Sequence, residues 1–108
     1  MDDLTKEQKY LLVSMYKEIL ERESANTDID PNYFKDSDEI RDLFLPNRSS
    51  SYVSEMCWKL HRKGYLFCRP GDNLANDVEI TDKVIIYMEN RFSDGIKSIA
   101  DFLLKLVP

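Results

Sequence analysis

Leu12, Met15, Tyr16 and Ile19 stand at i, i+3, i+4 and i+7, the spacing that puts apolar side chains on one face of a helix. Thr5, followed three residues later by Gln8, forms a capping-box signature ahead of them, so a first helix is expected over roughly 6–22. From Glu23 to Asp36 the periodicity breaks. Polar and acidic residues with Pro31 surround Ile29, Tyr33 and Phe34, which reads as an acidic loop pinned by a few apolar side chains. Ser37 is placed to cap a short second helix carrying Ile40, Leu43 and Phe44 on one face, and Pro46 ends it. A third helix is predicted from the Ser49-Ser50-Ser51 run to Lys63. Val53, Met56, Cys57 and Leu60 form its inward face, and Gly64 stops it. Trp58 flanks that face and is expected to pack on a neighbouring helix.

Leu66 to Arg69 then lead to Pro70-Gly71-Asp72-Asn73, beyond which Val78-Glu79-Ile80 alternates apolar and polar. Two short strands around a turn make a hairpin. Thr81 and Asp82 open a fourth helix that reaches Phe92 through Val84, Ile85, Tyr87 and Met88. Ser93-Asp94 opens a fifth, with Ile96, Ile99, Ala100, Leu103, Leu106 and Val107 along one stripe and Phe102 and Leu104 beside it. The expected fold is therefore mostly α with one small β-hairpin.

The chain has 108 residues, 43% of them hydrophobic, with three glycines and four prolines. That fits a single domain over 1–108 with one core. No internal repeat or linker interrupts it. No stretch approaches the roughly 20 apolar residues of a membrane span. The opening Met1-Asp2-Asp3-Leu4-Thr5-Lys6 has neither the basic nor the apolar region of a signal peptide, so a cytoplasmic protein is expected. Cys57 and Cys68 lie outside any C-x-x-C pattern and are expected to stay reduced. Asn47-Arg48-Ser49 matches the N-glycosylation pattern by chance on this reading.

Charge changes the picture. The net charge is -5, yet from Pro46 to Gly71 Arg48, Lys59, Arg62, Lys63 and Arg69 stand against Glu55 alone. One basic segment in an acidic chain is the asymmetry that orients a protein on a polyanion, because only the presented face has to be positive.

The central segment also resembles a known family. Pro46-Asn47-Arg48-Ser49-Ser50-Ser51-Tyr52-Val53-Ser54 resembles the turn and opening of a recognition helix. Leu60-His61-Arg62-Lys63-Gly64-Tyr65-Leu66 is similar to the "L-x-x-K-G-Y/L-L/I" ending before the wing of MarR-like and PadR-like regulators. Ile80-Thr81-Asp82-Lys83-Val84 resembles their "L-T-x-K-G" step, with Val84 where the pattern has glycine. The likeness covers about 36–92, and short YjcQ-type winged-helix proteins, which continue past the wing with a pair of helices, look similar too.

The resemblance implies a winged helix-turn-helix domain, α1-α2-α3-β-β-α4-α5, with a C-terminal helical extension. It further implies a transcription regulator, a repressor in its family's manner, that lays the third helix in the major groove of double-stranded DNA.

The residues support that expectation independently. Arg48, Ser49, Ser50, Ser51, Tyr52 and Ser54 line the helix start with small hydrogen-bonding or cationic side chains that let the backbone approach phosphate. Glu55 can accept from a cytosine amine, whereas Lys59, Arg62 and Lys63 suit phosphate. Arg69 is the one cation at the stem of the wing, whose tip carries two acids and no base.

Other chemistry is weakly represented. Cys57 and His61 at i, i+4 with Cys68 lack an obvious fourth ligand and a zinc spacing, so no metal is expected. Cys57 reads as a small buried hydrophobe and His61 as a surface residue. With one histidine, no G-x-S-x-G and no glycine-rich phosphate loop, neither catalysis nor a cofactor is expected. The rival is a winged helix that binds protein rather than DNA, which the acidic wing favours. Phe102 and Leu104 beside the fifth helix's stripe imply a homodimer, whose twofold would set two third helices about 34 Å apart.

Overall fold

In the computed structural model, which describes residues 1–26 and 30–107, the predicted capping box is closed. The Gln8 N–H donates to the Thr5 hydroxyl at 3.1 Å and the Thr5 N–H to Gln8 Oε1 at 3.0 Å. Helix α1 (Lys6–Ser24) continues two residues past its expected end, and Leu11, Leu12 and Met15 are wholly buried. Helices α4 (Asp82–Arg91) and α5 (Ile96–Leu104) both pack on α1. The three belong to one compact unit, Met1–Pro31 with Asp82–Pro108. No helix among the described residues is long and apolar enough to cross a membrane. Ile29, expected to pin the acidic loop, lies outside the described residues.

Two expectations for α5 change. Ser93-Asp94 does not open it, because the chain first turns back, the Gly95 N–H donating to the Phe92 carbonyl at 3.2 Å. Gly95 has a φ of +87°, a conformation that glycine adopts without steric cost, and the helix starts after it with no side-chain cap. Phe102 is not left uncovered: its ring meets Phe92 edge-on at 5.3 Å, and the Arg91 guanidinium lies 5.0 Å from its centroid. Leu104 is 75% exposed, and Val107 is exposed as well.

The second unit, Asn32–Thr81, contains a three-stranded antiparallel sheet in the order β1-β3-β2, formed by β1 (Phe34–Asp36), β2 (Leu66–Gly71) and β3 (Leu74–Ile80). Strand β1 lies where the sequence reads as loop, and three residues are too few to display an alternation. Phe34 pairs with Val78, and both are wholly buried. Just before β1, the Asn32 amide donates to the Ile80 carbonyl at 2.9 Å and accepts the Ile80 N–H at 3.0 Å, standing in for a further strand residue.

The hairpin is tighter than expected. Asp72 and Asn73, with φ of +51° and +61°, form a two-residue turn between the paired Gly71 and Leu74, as a type I′ turn requires. Pro70 therefore falls inside β2, which tolerates it as an edge strand. Phe67 faces Glu79 but Arg69 faces Asn76, so β3 carries one extra residue, a bulge at Asp77 with φ of +49°. The extra residue shifts the strand's parity, and Ala75 and Val78, three apart, are both buried.

Helix α2 (Ser37–Phe44) is capped by Asp36, not by Ser37: its carboxylate accepts the Glu39 N–H at 2.9 Å. The strand runs straight into the helix, so Ser37 is already inside it, wholly buried with its hydroxyl unpartnered among the described residues. A turn with Pro46 at its second position, closed by Arg48 N–H to Leu45 carbonyl at 3.0 Å, leads to α3 (Ser50–Arg62). Ser49 caps α3, accepting the Tyr52 N–H at 3.1 Å.

Gly64, φ +83°, ends α3. The Tyr65 N–H reaches the Leu60 carbonyl at 2.9 Å and the Gly64 N–H the His61 carbonyl at 3.0 Å, a Schellman motif. The Thr81 hydroxyl then donates to the Gly64 carbonyl at 2.8 Å, fastening the end of β3 to the end of α3. Ile40, Val53, Cys57 and Leu60 are wholly buried, as their spacing predicts. Phe44 is half-buried, edge-on to Phe34 at 6.1 Å, and Leu43 turns to solvent. Five helices and one three-stranded sheet among the described residues make a mixed α/β fold.

Candidate nucleic-acid interface

The burial of Val53, Cys57 and Leu60 fixes which way α3 turns its other side chains. Ser49, Ser51, Tyr52, Glu55, Lys59 and Arg62 are exposed, as are Arg48 before the helix and Lys63 at its end. Around the first turn the side chains organise one another. The Arg48 guanidinium lies 4.5 Å from the Tyr52 ring centroid, a cation–π contact, and the Ser49 and Ser51 hydroxyls are 3.3 Å apart. The Ser50 hydroxyl donates to Asp38 Oδ1 at 2.5 Å, so it is committed to α2.

At the end of α3, Arg62 forms an ion pair at 3.4 Å with Glu55, two turns back, each side chain 60% exposed. A pair so open to water contributes about 0–1 kcal/mol and exchanges readily. Arg69 lies on β2 with its guanidinium 5.4 Å from the Phe67 ring and 4.0 Å from Asp77 Oδ2.

Ser54 parts from the other predicted residues. It is only 7% exposed and belongs to a different face of α3, where Ser51, Ser54, Glu55 and Trp58 follow at i, i+3, i+4 and i+7 and wall a cleft of about 660 Å³ against the hairpin turn 70–74. The carboxylates of Glu55 and Asp72 line this cleft, and no cation does. Trp58 therefore faces the hairpin, not a neighbouring helix. The helical spacing of these four residues is legible in the sequence, but what packs opposite them is set by the two-residue turn, which it does not reveal.

His61 is not a simple surface residue either. Its Nδ1 accepts the Cys68 N–H at 3.3 Å and lies 3.2 Å from the Leu66 carbonyl. Its ring stands edge-on to both Trp58 and Phe67, at 5.4 and 6.1 Å. These contacts tie the last turn of α3 to β2. The Cys68 thiol donates to the Cys57 carbonyl at 3.8 Å, and both cysteines are free and buried. Burial pushes the Cys57 thiol far above its ordinary range, with nearby Cys68 adding to it, and pushes Cys68 up to about 12. Both sulfurs hold their protons at neutral pH, which disfavours the thiolate form that ligates metals. Among the described residues no group of three His, Cys, Asp or Glu side chains is gathered to hold a metal ion.

The geometry thus offers an exposed cationic strip along α3 and, beside it, an acidic cleft with an indole wall. No protein-family model, curated protein or solved structure matches this chain.

Proposed function

We propose that the chain is a cytoplasmic winged helix protein that binds double-stranded DNA as a transcription regulator, with α3 as the helix entering the major groove. The observation that carries this reading is the strip of Arg48, Tyr52, Lys59, Arg62 and Lys63, exposed along one side of α3 and its flanks. The order of helices and strands in the second unit, two helices joined by a short turn and followed by a hairpin, is compatible with that layout.

On this reading Lys59, Arg62 and Lys63 neutralise phosphates, and the gain in affinity comes chiefly from released counterions. Ser49, Ser51, Tyr52 and Arg48 meet the groove at the helix start. Arg62 leaves Glu55 for a phosphate, which frees that carboxylate to accept from a cytosine amine. The role is one of binding, not catalysis, and the protein acts as a homodimer that uses the C-terminal end, where Leu104 at the close of α5 and Val107 beyond it are exposed.

A second reading, a winged helix that binds protein, is favoured by one observation: the hairpin turn carries Asp72 and no cation, so it repels the phosphate a wing would contact. A mobility-shift titration of a nonspecific duplex at two salt concentrations separates them. The DNA reading requires a shift that weakens steeply with salt, and the protein reading requires none at either concentration.

A further inference from the structure

The cleft between α3 and the hairpin turn has a chemistry opposite to that of the cationic strip. Four features converge on it. Glu55 and Asp72 supply two acidic side chains from opposite walls, with no cation among the described lining residues and only the exposed Arg62, at 3.4 Å, paired with Glu55 from outside the cleft. The Trp58 indole and the apolar Pro70 and Leu74 give it a flat, greasy side. Ser54, more than nine-tenths buried, contributes a hydroxyl that has no hydrogen-bond partner among the described residues. The turn that closes the cleft is held in one shape, since Asp72 and Asn73 both sit in left-handed conformations and the Asn76 amide donates to the Gly71 and Leu74 carbonyls at 2.6 and 3.1 Å.

A planar cation suits these walls better than a compact one. Guanidinium stacks on an indole face, is less strongly hydrated than ammonium, and donates in a fork that matches carboxylate oxygens. Phosphate is rejected by both carboxylates. A neutral apolar side chain would strand them against it.

We infer that this cleft is a recognition site for an arginine side chain borne by a partner protein, with Glu55 and Asp72 accepting from the guanidinium, Trp58 stacking on it and Ser54 accepting a further N–H. Entry displaces Arg62 from Glu55, an exchange of one exposed partner for a more enclosed one. The cleft shares Ser51 and Glu55 with the proposed DNA-facing side of α3, so DNA and the arginine compete for those two residues, while Ser54, Trp58 and Asp72 belong to the cleft alone.

Trp58 is the chain's one tryptophan, so its emission reports directly on the cleft. The experiment titrates the full chain with an acetylated, amidated pentapeptide bearing arginine between glycines. The same peptide with citrulline, which keeps the shape and loses the charge, and a nonspecific DNA duplex are titrated in parallel. The arginine peptide is expected to change Trp58 emission saturably, and citrulline to bind at least about tenfold more weakly. Glu55→Gln combined with Asp72→Asn, an exposed pair of changes that retains a residue suited to the left-handed turn, is expected to abolish the difference between the two peptides while leaving the circular-dichroism melt in place. Equal binding of arginine and citrulline overturns the proposal. So does an emission change produced by the duplex and not by the peptide, or an arginine preference that survives the double substitution.

Discussion

The Ser50 hydroxyl donates to the Asp38 carboxylate at 2.5 Å, joining the first turn of α3 to the first turn of α2. The bond places a fixed negative charge beside the helix start that the proposed function brings to phosphate. Asp38→Asn keeps an acceptor and removes that charge, so duplex affinity should rise by roughly two- to fivefold with little change in melting temperature. Asp38→Ala also removes the acceptor and should cost about 0.5–1.5 kcal/mol of stability. Parallel duplex titrations and thermal melts of the two variants check both statements.

Leu60 is wholly buried, and its carbonyl receives the Tyr65 N–H in the motif that ends α3. Leu60→Ala should destabilise the protein by about 2–5 kcal/mol, whereas Leu60→Met, which conserves volume, should cost less than about 1.5 kcal/mol. Urea unfolding gives both values. A Leu60→Ala protein as stable as the parent would contradict the packing of α3.

The thiols predict how stability responds to alkaline pH. Cys68 is pushed up to about 12 by burial, and Cys57 is raised further in the same direction, while in the unfolded chain a thiol titrates near about 8.5. The folded state therefore holds more protons than the unfolded state above about 8.5, and stability falls as pH rises through this window. It is fully present below the unfolded value and is lost as pH climbs toward the folded one. Melting temperature should drop between about pH 9 and 12 more steeply in the parent than in Cys57→Ala with Cys68→Ala, a comparison that cancels the tyrosines. At pH 8 a thiol reagent should react only after unfolding.

The proposed dimer rests on the C-terminal end, and the packing of Phe102 on Phe92 narrows it to the exposed Leu104 and Val107. Equilibrium sedimentation at micromolar concentration should give twice the monomer mass for the parent and the monomer mass for Leu104→Glu with Val107→Glu. A parent that sediments as a monomer refutes the dimer. A dimer indifferent to the two glutamates moves the interface away from the C-terminal end.

What the sequence revealed follows from the length scale of each signal. The capping box at Thr5 and Gln8, the buried face of α3 and its glycine stop are local patterns repeated over several turns, and they were legible. Strand β1 was not, because Phe34-Lys35-Asp36 shows its character only when paired with β3. Its partner choice moved the α2 cap from Ser37 to Asp36. The cationic strip could be read because the positions of Val53, Cys57 and Leu60 determine the outward side of α3. The cleft could not, since it depends on a bulge at Asp77 and a two-residue turn that bring the hairpin opposite Trp58.

The central claim, that α3 carries the protein to DNA, is tested most directly by the salt dependence of duplex binding in Lys59→Ala with Arg62→Ala. Each phosphate contact contributes about 0.9 to the slope of log affinity against log salt concentration. The double variant should bind every duplex more weakly, with a slope shallower than the parent's by up to about two such contacts. Affinity and slope unchanged from the parent would contradict the proposed docking face.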